Sequence, residues 1–262
     1  MAMAFETERR DEARLGLVVL QADETIETEF RRIMPQAATL HVSRVPSGRE
    51  VTTESLAAMA DHIGQSAKLF PASVSFDAVG YGCTSGTSVI GIDRVGELVR
   101  SGTTARAVTE PISALMAACR HFGLARLAFL SPYVEEVSTG MRAVLAQNGI
   151  RTPVFGSFET GEEAVVARIA PASILEAAVQ LGSDPDAEAV FISCTNLRTL
   201  DVLSATEERL GKPVLSSNQV LAWHMCRLSG IAPAQTGFGK LLSGCSQGDA
   251  VTSAATDPLQ TA

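Results

Sequence analysis

Along the chain, short apolar runs rich in Val, Ile and Leu alternate with longer stretches in which apolar residues recur every third or fourth position. The first pattern predicts buried strands and the second amphipathic helices. Strands are expected over residues 15–20 (LGLVVL), 39–45, 74–81 and 105–108, and again over 126–130, 151–158, 189–193 and 213–215. In the first half the intervening helices end near Met34-Pro35, cover 53–70 with Leu56, Met59, Ile63 and Ala67 on one face, follow the Gly82–Thr87 turn through Val99, and open at Pro111 to reach Phe122. Pro111 suits a first helical turn, where no backbone donor is required. In the second half a helix follows Tyr133 to about Gln147, residues 161–181 read as helical with a break at Pro171, a helix follows Asn196 to Leu210, and another starts near Ser217. The polar tail beyond Gln247 is expected to fray.

Strands that alternate with helices imply an α/β fold, with mostly parallel sheets covered on both faces. Ligands in such sheets sit at the carboxyl ends of the strands. Five of the turns at those ends are polar: Asp23, Cys83-Thr84-Ser85, Ser131-Pro132-Tyr133, Cys194-Thr195-Asn196 and Ser217-Asn218.

Composition narrows the function classes. Of the 262 residues 46% are hydrophobic and 19% charged, which supports a buried core rather than a disordered chain. A net charge of −8 offers nothing to a polyanion, so no nucleic-acid partner is expected. No apolar run approaches the roughly 18 residues of a membrane span. Residues 1–14 are charged and lack the apolar centre of a secretory signal, so a cytoplasmic location is expected. The five cysteines are odd in number and show no C-x-x-C spacing, so reduced thiols are expected rather than a disulfide framework or a metal site. Cys119, Cys226 and Cys245 fall in helical or terminal contexts and read as packing residues, and the four scattered histidines lack metal spacing.

Two cysteines stand apart. Cys83 lies in Gly80-Tyr81-Gly82-Cys83-Thr84-Ser85-Gly86-Thr87, at a strand end and just before a helix. Free N–H groups at such a terminus can hold a carboxylate and favour thiolate over thiol. The loop lacks the Lys of a P-loop, so it does not read as nucleotide-binding. A little under half the chain later, Ala189-Val190-Phe191-Ile192-Ser193-Cys194-Thr195-Asn196 repeats the scheme of apolar strand, Cys-Thr and polar turn. Two such turns suggest two similar lobes that present two thiols to opposite faces of one carbon. The bland alternative is a pair of buried cysteines in glycine-rich or polar turns.

Gly82-Cys83-Thr84-Ser85-Gly86, Ser193-Cys194-Thr195-Asn196 and Ser217-Asn218-Gln219, with Ser131-Pro132-Tyr133, resemble the aspartate/glutamate racemase superfamily. Within it they are similar to the branch that holds maleate cis–trans isomerase and arylmalonate decarboxylase. The likeness runs from Leu15 to about Leu242. It implies two similar α/β lobes, residues 1–120 with 215–262 and residues 121–214, with the site in the cleft between them. It also implies catalysis without cofactor or metal, a small carboxylate or amino-acid substrate, and a homo-oligomer. Cys83 matches the first catalytic cysteine of the isomerases, where the decarboxylase has glycine. Cys194 matches the second cysteine, which both share. Thr84, Ser85 and Tyr133 match carboxylate or oxyanion donors, and Thr195 and Asn218 belong to matching segments of the site.

One position departs from the pattern. Maleate isomerases carry a substrate-binding asparagine in the first turn, and here Asp23 occupies that place. A carboxylate there would repel a second substrate carboxylate and attract an ammonium. Asp23-Glu24-Thr25-Ile26-Glu27 and the run from Gly82 to Gly91 resemble the ectoine-utilisation protein A group, which implies an amine-bearing product of ectoine breakdown as substrate. The local alternative for Asp23 is a helix N-cap. The expected function is therefore a two-cysteine isomerase or racemase. A maleate-isomerase-like enzyme, a non-catalytic binding protein with the same pocket, and a cysteine hydrolase using His224 as base stay open at this point.

Overall fold

The structure is a computed structural model that describes residues 1–8, 12–234 and 237–243. The chain order is β1 (Ala13–Leu20), α1 (Ile26–Ile33), β2 (Ala38–Val45), α2 (Thr53–Ala58), α3 (Ala60–Ala67), β3 (Phe76–Gly82), α4 (Thr84–Ile90), α5 (Ile92–Gly102), β4 (Ala105–Thr109) and α6 (Pro111–Phe122). It continues with β5 (Arg126–Ser131), α7 (Glu135–Gln147), β6 (Arg151–Ser157), α8 (Glu163–Val166), α9 (Pro171–Gly182), β7 (Ala189–Ile192), α10 (Leu200–Leu210), β8 (Val214–Ser216), α11 (Ser217–Leu228) and α12 (Lys240–Ser243). These strands form two parallel four-stranded sheets, ordered β2-β1-β3-β4 and β6-β5-β7-β8. The second repeats the strand order of the first, and the fold class is the α/β class expected.

The central strands are buried on both faces. Leu15, Leu17, Val18 and Val19 of β1 and Leu127, Ala128 and Phe129 of β5 are fully inaccessible, which is why these segments read as unbroken apolar runs. Helix α11 is buried along nearly its whole length, polar residues Ser217, Asn218, Gln219 and His224 included, and Val220, Leu221, Trp223 and Met225 are fully buried. It lies so close to β3 that a side chain at Gly80 would meet the Met225 sulfur at 2.5 Å.

Three helices differ from the sequence reading. The stretch over 53–70 is two helices that meet at Met59, yet Leu56, Met59, Ile63 and Ala67 all face the core as expected. The helix expected after Thr87 through Val99 starts earlier, at Thr84, and is broken at Gly91, whose φ of +95° only glycine adopts readily. After Asn196 the chain turns for three residues before α10 begins at Leu200, because the α10 N-terminus is capped from a distance. Glu29 of α1 accepts from the N–H groups of Thr199 (2.6 Å) and Leu200 (3.0 Å). The expected tail beyond Gln247 and Cys245 lie outside the described residues.

Glu29 is one of several ties between the two halves. Arg32 pairs with Asp201, Arg168 with Glu24, and the Val51 N–H donates to the Gly161 carbonyl at 2.8 Å. The carboxyl ends of both central strands thus face one buried region.

Candidate active site

Cys83 is the N-cap of α4, and its sulfur accepts from the Gly86 N–H at 3.1 Å. Gly86 explains the glycine of the motif: a Cβ there would stand 2.9 Å from the sulfur and 2.9 Å from the Tyr81 hydroxyl. Cys194 is held differently. It sits on a loop at φ +108°, a conformation that a side chain strains, and its N–H donates to the Ser217 hydroxyl at 3.0 Å. Its sulfur lies 3.0 Å from the Tyr133 hydroxyl and 3.3 Å from the Asn196 N–H. The two Cys-Thr turns therefore repeat in sequence but not in backbone, and only Cys83 opens a helix directly.

Ser217, the first residue of α11, joins the two turns. Its hydroxyl also lies 2.8 Å from that of Thr84, next to Cys83. Thr195 donates its hydroxyl to the Gly82 carbonyl at 3.3 Å, and the Ser85 hydroxyl points at the Met141 sulfur.

One cavity brings together Asp23, Cys83, Thr84, Ser85, Tyr133, Cys194 and Thr195 of the expected residues, along with Leu20 and Glu163. None of these nine is more than 5% exposed, so the cavity is largely buried. Residues 49–51, after β2, meet residues 161–163 through a Glu50–Glu162 bridge and a Glu163 N–H to Arg49 carbonyl bond of 3.1 Å.

Asp23 lies two residues before Thr25, which is the N-cap residue of α1, and it is part of the cavity wall. Its Oδ1 accepts from the N–H groups of Thr25 and Ile26, each at 2.8 Å, which caps the start of α1. Its Oδ2 is buried and accepts no hydrogen bond of good geometry; the nearby Thr195 hydroxyl, which donates to the Gly82 carbonyl, lowers the Asp23 carboxyl without offsetting burial. Asn218 stands behind the cavity rather than on its wall, and its amide donates to the Thr195 carbonyl and to Glu29, both at 2.8 Å. His224 is off the wall too, with Nδ1 2.8 Å from the Thr109 hydroxyl on β4. A hydrolase with His224 as base to Cys83 has no support from this arrangement.

Glu163 is the site residue that sequence reasoning missed. It is one of two adjacent glutamates in a stretch read as helix, and no local pattern marks it. Its Oε1 accepts from the Tyr133 hydroxyl (2.9 Å) and its Oε2 from the Asn196 amide (2.8 Å). The Asn196 Oδ1 accepts in turn from the Glu24 N–H at 2.9 Å, which fixes which way that amide faces.

Electrostatics of the buried cavity favour protons. Burial pushes the Cys83 thiol up to about 12, and the Gly86 N–H and the Tyr81 hydroxyl only partly oppose this, while Glu163 and Asp23 add to it. The helix N-terminus was expected to favour thiolate, but loss of solvent outweighs it here. Cys194 is also raised well above the usual thiol range, by burial first and the Glu163 charge second, and it lacks the close helix N–H donor that Cys83 has in Gly86. Burial likewise raises Asp23 and Glu163. Limited iodoacetamide treatment followed by peptide mapping should therefore modify Cys83 before Cys194. Faster modification of Cys194 or of Cys226 would contradict this ordering.

Glu29 gives a pH signature. Burial lifts its carboxyl from 4.5 to about 7, against four donated hydrogen bonds. Between those values the folded chain binds more protons than the unfolded one, so the Glu29 contribution to stability is complete below 4.5 and is lost as pH rises through about 7. The Tm of the wild type relative to Glu29→Gln should fall across that window and level off above it. A gap that does not change with pH would show that Glu29 does not titrate there.

The sequence profile of the arylmalonate decarboxylase family matches residues 15–242. The arylmalonate decarboxylase of Bordetella bronchiseptica is 33% identical over 136 residues, which span 51% of this chain and 56% of that enzyme. The maleate isomerase of Pseudomonas putida is 24% identical over 246 residues, 88% of this chain and 97% of that enzyme. Among solved structures, the maleate cis–trans isomerase of Nocardia farcinica, in a mutant with a covalently bound succinylcysteine intermediate, superposes with a TM-score of 0.77 at 24% identity, covering 89% of this chain and 99% of that one. Among the described residues, no helix is long and apolar enough to cross a membrane, and no group of His, Cys, Asp and Glu is arranged to hold a metal ion.

Proposed function

The chain belongs to the arylmalonate decarboxylase family, and on that footing we propose that it is a cofactor-independent two-cysteine isomerase or racemase for a small carboxylate that carries an amine. The observation that carries the reading is the Asp23 Oδ2 atom, buried and unpartnered in a cavity shared by two thiols. A buried carboxylate oxygen without a donor is costly. A substrate ammonium supplies that donor and carries the opposite charge. It also offsets the negative field of Asp23 and Glu163, which adds to burial in holding both thiols protonated. Substrate binding thereby favours the thiolate that the empty site opposes.

The substrate carboxylate lies at the other end of the cavity in this reading. Thr84 and Ser85 are the first residues of α4, and their N–H groups have no acceptor within the helix. The Thr84 hydroxyl is engaged by Ser217, so the backbone is the principal donor. In racemisation the Cys83 thiolate takes the α-proton from one face and the Cys194 thiol gives its proton to the other. In isomerisation the Cys83 thiolate adds to an alkene carbon, Cys194 protonates its neighbour, and elimination after rotation returns both groups. The covalent cysteine adduct of the Nocardia relative supports the second route.

The resemblance to the ectoine-utilisation group makes amine-bearing products of ectoine opening the first substrates to try. The maleate-isomerase reading is favoured by one observation of its own, the near full-length match to that enzyme. An NMR screen of amine-bearing acids and amine-free cis-diacids separates the two. Turnover confined to amine-bearing acids supports the proposal, and turnover confined to cis-diacids overturns it. Tight binding of an amino acid without any turnover would make the chain a binding protein.

A further inference from the structure

Tyr133 has one hydroxyl proton and two neighbours that can take it, the Glu163 carboxylate at 2.9 Å and the Cys194 sulfur at 3.0 Å. The carboxylate is the stronger acceptor, and Asn196 fixes it in place by occupying its other oxygen. With that proton committed to Glu163, the Tyr133 oxygen presents only lone pairs to Cys194. A thiol can donate to them and a thiolate is repelled. We propose that Glu163 is a positioning residue that keeps Cys194 protonated through Tyr133, so that Cys83 is the sulfur that becomes thiolate and Cys194 the one that donates a proton.

The inference rests on the two-thiol reading of the site but not on any substrate. Two independent features agree with it. Cys83 has its own donor, the Gly86 N–H, which a thiolate keeps. Cys194 has the Asn196 N–H at a longer 3.3 Å. The Glu163 charge is also the largest influence after burial in raising Cys194, whereas at Cys83 the Gly86 bond outweighs it. The other titratable groups that act on Cys194 are Asp23 and Tyr133, and Asp23 raises it too. A hydrogen bond from Tyr133 would lower Cys194, but it is available only when Glu163 releases the proton.

The test follows alkylation of each cysteine by iodoacetamide across pH, read by peptide mass on the full chain, with folding checked by near-UV circular dichroism. Glu163→Gln frees the Tyr133 hydroxyl to turn toward the sulfur. Its Cys194 midpoint should fall by about one pH unit or more, roughly tenfold more thiolate at fixed pH, with a smaller change at Cys83. In a Tyr133→Phe background the same substitution should move Cys194 by less than half as much. Glu163→Asp keeps the charge but shortens the reach to Tyr133, and should shift Cys194 in the same direction. An unmoved Cys194, an equal shift at Cys83, or an undiminished shift in Tyr133→Phe would each overturn the proposal. In turnover, the alkaline fall of kcat should move to lower pH in Glu163→Gln. Absence of turnover in the wild type would instead count against the proposed function, while the alkylation profiles still decide the role of Glu163.

Discussion

Replacing Cys83 or Cys194 with alanine is expected to lower kcat/KM by roughly a thousandfold or more in each case, within the range for loss of a positioned nucleophile or proton-transfer group. The two sulfurs act on one carbon framework, so the double variant should be little worse than either single one. Stability should change little in Cys194→Ala, whereas Cys83→Ala also removes the α4 N-cap and should cost roughly 0.5–2 kcal/mol. Cys194→Gly sharpens the test. It releases the strain at φ +108°, of order 1–3 kcal/mol, so this variant should be inactive yet at least as stable as Cys194→Ala. Cys119→Ala, in α6 and not among the cavity-lining residues, should retain activity. Steady-state kinetics with urea unfolding of the same samples checks both halves. Near-normal activity in either single variant would rule out a two-thiol mechanism.

Asp23→Asn should exchange one substrate class for another rather than simply disable the site. Asparagine can still accept from the N–H groups of Thr25 and Ile26, so the start of α1 stays capped. What disappears is the buried charge that faces the cavity. The amine-bearing substrate should lose roughly 1.5–3 kcal/mol, the usual worth of a hydrogen bond to a charged group and about a 10- to 150-fold weaker KM. An amine-free cis-diacid should gain, because a repulsive charge has gone. Michaelis constants for both substrate types, in wild type and variant, measure the exchange. A parallel loss for both types would mean that Asp23 serves only as a cap.

The sequence made the sheets legible because each central strand is buried on both faces and so reads as a continuous apolar run. The site was legible where chemistry is concentrated in a short motif: Cys83, Thr84 and Ser85 follow β3, and Cys194 and Thr195 follow β7. It was not legible where a contact spans the chain. Glu163 reaches Tyr133 and Asn196 from a four-residue helix whose pattern is unremarkable. Glu29 caps α10 from about 170 residues away, and that displaced the start of the helix expected after Asn196. Asn218 shares a motif with Ser217 but faces the other way, because its amide is taken by Glu29 and the Thr195 carbonyl. The apparent equivalence of the two Cys-Thr turns concealed a backbone difference that only torsion angles reveal.

The most direct measurement is proton NMR of the wild type with a single enantiomer of an amine-bearing small acid, and separately with maleate, in D2O. The account predicts that the amine-bearing acid takes deuterium at the carbon between its functional groups or isomerises, that both Cys→Ala variants abolish the change, and that maleate is left intact. Efficient conversion of maleate to fumarate, with the amine-bearing acids untouched, would contradict it and leave Asp23 as a helix cap.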